Sequence, residues 1–249
     1  MTISQGLTPL DGGGDQTVDR IHSVLRGRIL SGELSPGSVV SQVKLAQSLD
    51  IGRTPLREAL RMLQREGLVQ AEFNRRVRVS PLSTSELEQI YAHRIVLEAV
   101  AIRSSIPRFT AADLAHLRDL LAEMESFLPN PAERLAEWER PHRAFHALLV
   151  SRAGDRVCED LRRLQDHAER YRAILGRDLP ASFAPGAREH VQLVEACEAR
   201  DRELAGGVLA GHLARSGLAL ISMTNPAHDA VALREALLVV QGADASGRR

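Results

Sequence analysis

The chain has few aromatic residues, two cysteines, no excess of charge and no long run free of charged side chains. Five Phe, two Tyr and one Trp make up 3% of its 249 residues. That is sparse for the aromatic pairs that hold sheet-rich folds together. Leucine, alanine and arginine are abundant instead, and these are strong helix formers. Cys158 and Cys197 stand isolated, which excludes a disulfide framework and reads as two reduced core thiols in a cytosol. No uncharged stretch approaches the roughly twenty apolar residues of a membrane span. The first residues also lack a basic segment followed by an apolar one, so no signal peptide and no membrane partner are expected, and the location expected is the cytoplasm.

What is present is unevenly placed. The formal net charge is zero, yet residues 15–80 hold eleven Lys plus Arg against seven Asp plus Glu, while residues 81–249 hold 21 against 24. A basic segment followed by a mildly acidic one fits a DNA reader coupled to a second function. The expected organisation is a disordered leader at 1–14, a DNA-binding domain at 15–80 and a helical domain at 84–223. Residues 224–249 should add a further helix near 229–240 and a disordered tail.

The most informative stretch is Arg53–Leu68. Thr54 and Pro55 read as a helix start, a side-chain cap followed by a residue with its φ preset. Leu56, Ala59, Leu60 and Leu63 repeat at the spacing of one buried face. Arg53, Arg57, Arg61 and Arg65 form a separate basic stripe, and Gly67 supplies a helix stop. Such a helix suits a DNA major groove, where guanidinium groups reach guanine edges and phosphates. Upstream, Ser41–Asp50 reads as a shorter helix, with only Ile51, Gly52 and Arg53 between the two, which is helix-turn-helix spacing. Downstream, Leu68–Ala71 and Val77–Val79 flank a basic tip, the pattern of a hairpin wing beside a recognition helix. Gln16–Ser31 reads as the first helix of this unit.

From Thr84 onward helical periods dominate, near 84–105, 110–127, 132–153, 155–176, 186–200 and 202–223. Thr110 with Asp113 looks like an N-cap pair. Pro141 should kink or restart its helix, and Gly176–Gly186, with Pro180 and Pro185, reads as a long loop. The fold class expected is mainly α: a winged helix-turn-helix followed by an antiparallel bundle of six or seven helices. His142 and His146 are one turn apart on one face, a spacing that lets two imidazoles grip one cation. His190 and His212 lie on apolar faces of two other helices. The residues alone leave two readings open, a shared metal ion or separately hydrogen-bonded core histidines. Arg94 and Glu98, at i and i+4, are either an intrahelical ion pair or part of a ligand site. His22, His93, His116, His167 and His228 read as surface or structural.

Residues 15–80 resemble the winged helix-turn-helix of the GntR family of bacterial transcription regulators. The resemblance rests on Gly32-Glu33-Leu34-Ser35-Pro36-Gly37, Leu45-Ala46, Arg53-Thr54-Pro55-Leu56-Arg57-Glu58-Ala59-Leu60 and Glu66-Gly67-Leu68-Val69. It implies main DNA contacts from Arg53 and Arg57, with Thr54, Lys44, Arg61 and the wing residues Asn74, Arg75 and Arg76. The chain departs from the family pattern at Val43, Gly52 and Arg76, where the family often has an arginine, a serine or threonine, and a glycine.

Residues 84–223 resemble the FCD effector domain of one GntR branch, through Arg94 with Glu98, Phe145-His146, Glu189-His190, Asp201 and His212-Leu213. Metal-binding members of that branch use an aspartate and three histidines. His146, His190 and His212 match, and His142 stands at the aspartate position. A fourth imidazole drops one negative charge and moves the preference from Mn towards Zn, Ni or Cu, so one zinc or nickel per chain is the expected cofactor. Arg94 would hold the carboxylate of a small organic acid. The resemblance thus implies a homodimeric, ligand-responsive repressor on a palindromic double-stranded operator. Two alternatives are a metal-dependent hydrolase fused to a DNA-binding domain, and a bundle that dimerises without metal. The first lacks a His-Glu-x-x-His motif, so no enzyme is expected.

Overall fold

The computed structural model describes residues 18–72, 76–127, 134–175 and 180–246. The chain divides into two units, 1–82 and 83–249. The first holds α1 (Val18–Leu30), β1 (Val39–Ser41), α2 (Gln42–Leu49), α3 (Arg53–Arg65), β2 (Val69–Glu72) and β3 (Arg76–Val79). Its core comes from Ile21, Leu25 and Ile29 of α1, Leu45 and Leu49 of α2, Leu56, Leu60 and Leu63 of α3, and the strand valines. The strands form an antiparallel sheet in the order β1-β3-β2, with Val40 opposite Val77 and Val69 opposite Val79. Strand β1 is too short, at three residues, to carry a periodic signal, and it was not expected. Its last residue, Ser41, is also the N-cap of α2, its side chain accepting from the Lys44 N–H.

The arginine helix starts earlier than its cap chemistry predicts. Gly52 takes the N-cap position without a side-chain bond, so Thr54 and Pro55 lie inside the first turn. A glycine cap costs only a few tenths of a kcal/mol relative to serine, so the cap can sit two residues ahead of Thr54. At the other end Gly67 has φ +75°. The Leu68 N–H reaches the Leu63 carbonyl and the Gly67 N–H that of Gln64, the paired bonds of a Schellman stop.

The second unit is a bundle of seven helices among the described residues: α4 (Thr84–Ser105), α5 (Ala111–Glu125), α6 (Leu135–Leu149), α7 (Asp155–Leu175), α8 (Pro180–Glu198), α9 (Arg202–Thr224) and α10 (Val231–Ser246). Helix α4 packs along α7, α9 and α10, while α5 packs on α6 and α8, and α8 on α9. The close approach of α4, α9 and α10 depends on Gly217, where an added Cβ would lie 2.7 Å from Tyr91 Cγ and 2.8 Å from Leu233 Cδ1. The N-terminus of α10 is tied to α4 by the Glu88 carboxylate, which accepts from Ala232 N–H at 2.7 Å and faces His228 Nε2 at 2.6 Å. Thr110 and Asp113 form a reciprocal capping box on α5.

Three expectations need correction. The segment read as a loop at 176–186 is helical from Pro180, because proline is tolerated in a first turn whose N–H groups have no helical partner; Pro185 lies inside the same helix. Helix α6 runs through Pro141 rather than restarting there. Helix α9 is also long and apolar enough to cross a membrane by length and composition, with mean hydropathy 1.4. Its apolar face is covered by α4, α8 and α10 instead, since Leu209, Leu213 and Leu220 are buried beside His212. Of the two free cysteines only Cys197 is a core thiol; Cys158 is half-buried.

Candidate functional site

In the first unit, α3 buries Leu56, Ala59, Leu60 and Leu63, so the intervening positions face outward. Arg53, Thr54, Arg57 and Arg61 are exposed, as is Lys44 at the start of α2. Between the two helices a groove of about 360 Å³ is lined by Gln42, Val43, Arg53, Thr54, Leu56 and Arg57. The arginines are not equivalent. Arg61 is held by Glu58, its Nη1 donating at 2.9 and 3.2 Å, and Arg57 Nε lies 4.0 Å from the same carboxylate. Arg53 has no ion pair among the described residues. In the wing, Arg76 is exposed on β3, whereas Asn74 and Arg75 lie outside the described residues.

In the second unit, α6 contributes His142 and His146, α8 contributes His190 and α9 contributes His212. All four are buried, and one ligand atom from each can be chosen so that the four lie within 4.8 Å of one another. Ring centroids are 4.6 Å apart for His142 and His146 and 4.7 Å for His190 and His212. Burial and nearby arginines push all four below the ordinary histidine value, with repulsion from neighbouring imidazoles added at His142, His146 and His190, and His146 falls to about 4. They are therefore neutral at pH 7, the form that ligates metal. Both ring nitrogens of His146, Nδ1 of His142 and Nε2 of His190 are buried with no hydrogen-bond partner. Leaving such atoms unmade costs about 1–3 kcal/mol each. Four neutral nitrogens converging in a closed space fit one tetrahedral or square-planar cation.

Carboxylates stand behind three of the four rings. Glu189 Oε2 is 2.8 Å from His212 Nδ1 and is itself paired with Arg215. This hydrogen bond puts the proton on Nδ1 and leaves Nε2 free to ligate. Glu139 Oε2 is 3.4 Å from His142 Nδ1, and Glu98 Oε2 is 3.8 Å from His146 Nδ1. Burial alone would raise the Glu98 carboxyl, but the Arg94 guanidinium and His146 override it and hold it at about 2. Glu189 is likewise held at about 2, against partial burial, by His212 and Arg215. Glu139 was missed from the sequence because a glutamate three residues before a helical histidine looks like any solvated acid. Trp138, the chain's single tryptophan, stacks on His142 with centroids 4.2 Å apart.

Arg94 is 2% exposed. Its Nε donates to Glu98 at 2.7 Å, while its Nη1 has no partner. The ion pair and a free arm therefore coexist. Of the other histidines, His22 pairs with Glu66 and His228 with Glu88, while His93 and His116 are exposed.

Residues 17–79 match the family described as "Bacterial regulatory proteins, gntR family", and residues 89–215 match the FCD domain. The chain is 32% identical over 196 residues to the HTH-type transcriptional repressor GlaR of Escherichia coli (strain K12), covering 76% of this chain and 89% of that one. It is 27% identical over 186 residues to the uncharacterized HTH-type transcriptional regulator YdhC of Bacillus subtilis (strain 168), covering 75% and 83%. Among solved structures, E. coli McbR/YncC shares the fold with a TM-score of 0.76 at 22% identity, over 85% of this chain and 100% of that one.

Proposed function

The chain belongs to the gntR family of bacterial regulatory proteins and is a DNA-binding transcription regulator with an FCD domain, not an enzyme; from this premise we propose that it is a repressor controlled by a small carboxylate at a metal in its helical bundle. The observation that supports this is the cluster of four buried, neutral histidines with an unpaired arm of Arg94 close by. His142, His146, His190 and His212 would hold one zinc or nickel ion per chain. When bound, the ion supplies a positive centre that attracts an anionic ligand. Arg94 Nη1 would take the second contact to the carboxylate, and Glu98 would keep the guanidinium oriented.

On the DNA side, Arg53 and Arg57 would read base edges and phosphates from the groove face of α3. Lys44, Thr54, Arg61 and the wing residues Asn74, Arg75 and Arg76 would add backbone contacts. Two such readers in a homodimer suit a palindromic operator. Release requires that the acid favour one arrangement of the dimer over the other, since equal affinity shifts nothing.

Native mass spectrometry of the purified protein, followed by gel shifts with added metal and acid, tests this reading. The expected result is a dimer with one metal per chain that disappears in His146→Ala. Arg57→Ala should weaken operator binding by about 1–3 kcal/mol. A protein that stays metal-free in excess zinc and nickel would remove the metal from the proposal, and an Arg57→Ala protein with unaltered affinity would remove the DNA assignment.

A further inference from the structure

His142 is held on two sides by residues of its own helix. Trp138, one turn earlier, stacks on the face of the ring, with centroids 4.2 Å and planes 22° apart. Glu139 brings Oε2 to 3.4 Å from Nδ1, and both side chains are buried, 7% and 6% exposed. The stack sets the plane of the imidazole. The carboxylate faces its Nδ1 edge, which leaves Nε2 for the cage.

Glu139 is itself fixed from α7. Arg172 Nε donates to both of its oxygens, reaching Oε2 at 3.3 Å. That oxygen is therefore shared between the guanidinium and His142 Nδ1. A buried carboxylate needs a cation, and Arg172 meets that need without any histidine. The ion pair accounts for the charge of Glu139, but not for its place against the imidazole.

The arrangement recurs at two other rings. Glu98 Oε2 stands 3.8 Å from His146 Nδ1, while Arg94 Nε donates to its other oxygen at 2.7 Å. Glu189 Oε2 stands 2.8 Å from His212 Nδ1 and is paired with Arg215. These three sets of histidine, glutamate and arginine draw on five helices, α4, α6, α7, α8 and α9. The packing of no single helix pair explains the recurrence. What the sets share is the cage.

Glu139 can serve that cage in two ways. With Nε2 ligating, the ring loses electron density and Nδ1–H becomes a stronger donor, so its contact with the carboxylate strengthens in the loaded site. The carboxylate also offsets Arg172, whose charge opposes a positive centre at His142. We propose that Glu139, fixed by Arg172, is the positioning residue that makes His142 a fourth ligand, so that the cage depends on a carboxylate outside it. This rests on the reading that the four histidines hold a metal ion.

Zinc and cobalt titrations of the full-length, chelator-stripped protein against a chromophoric competitor test the proposal. Glu139→Gln with Arg172→Met removes the pair without leaving either charge alone. The double variant should bind zinc about 10–100-fold more weakly, the range typical of a carboxylate behind a ligating histidine. In a His142→Ala background the same two changes should cost less than about twofold, because the ring they act through is gone. The visible bands of bound cobalt, which report its ligands, should match those of His142→Ala. Glu139→Asp keeps the charge but draws the carboxylate back from Nδ1; it should weaken zinc in the same direction, and it decides the matter where the double variant does not fold. Wild-type zinc affinity in these variants, wild-type cobalt bands, or an equal loss with and without His142 overturns the positioning role and leaves the metal reading standing. A wild-type chain that takes up neither zinc nor cobalt overturns both.

Discussion

Acidification should unfold the metal-free bundle in a pH range set by its histidines, well above the range in which its carboxylates titrate. The folded value of His146 is about 4 against an ordinary 6.5. A histidine depressed in the folded state leaves the unfolded chain the stronger proton binder. Its stability is therefore intact above pH 6.5 and is lost as the pH falls from 6.5 towards 4. For His146 alone the loss between pH 7.5 and pH 5 is about 2 kcal/mol, from the two limiting values and 1.36 kcal/mol per unit. His142, His190 and His212 are shifted in the same direction, so the total loss should exceed that of one group. Glu98 and Glu189, at about 2, lose their contribution only below their ordinary value of 4.5, so the interval from pH 7.5 to pH 5 belongs to the histidines. The assay is urea unfolding in a chelator, followed by the fluorescence of Trp138. That ring stacks on His142 and reports only on the second unit. Bound zinc should hold the protein at its neutral-pH stability until protons displace it. His146→Gln should flatten the pH dependence by about 2 kcal/mol, whatever it does to absolute stability. A metal-free protein with the same midpoint at pH 7.5 and pH 5, or a His146→Gln protein with the wild-type slope, would refute the reasoning.

Two further predictions concern single contacts. Glu58→Ala removes the carboxylate that engages Arg61 and neighbours Arg57. Operator affinity should rise and the slope of log affinity against log salt should steepen by about one unit, as one more phosphate contact forms; an unchanged slope in a filter-binding titration counts against it. Gly217→Ala places a methyl group 2.7 Å from Tyr91 Cγ and 2.8 Å from Leu233 Cδ1. Overpacking of this kind costs about 1–3 kcal/mol, which urea unfolding of the second unit will show, and a neutral result would mean that α10 can shift away freely.

The parts legible in the sequence were those written in a period. The four-residue arginine step and the interleaved leucines marked α3, and the His142–His146 spacing marked one face of α6. What escaped was written between helices. Glu139 became meaningful once Arg172 of α7 was found on its other side. The start of α8 at Pro180 was hidden because the same residue both opens helices and breaks them. Local cap chemistry also misled at Thr54, where the neighbouring glycine took the cap.

Ser41 closes β1 and caps α2 in a single residue, and β1 is hydrogen-bonded to β3, the inner strand of the wing. Wing and helix pair are thus spliced at a joint with no slack, like the fixed jaws of a gauge. A displacement of the wing relative to α2 would have to break either the pairing of Ser41 with Arg76 or the cap that Ser41 places on the Lys44 N–H.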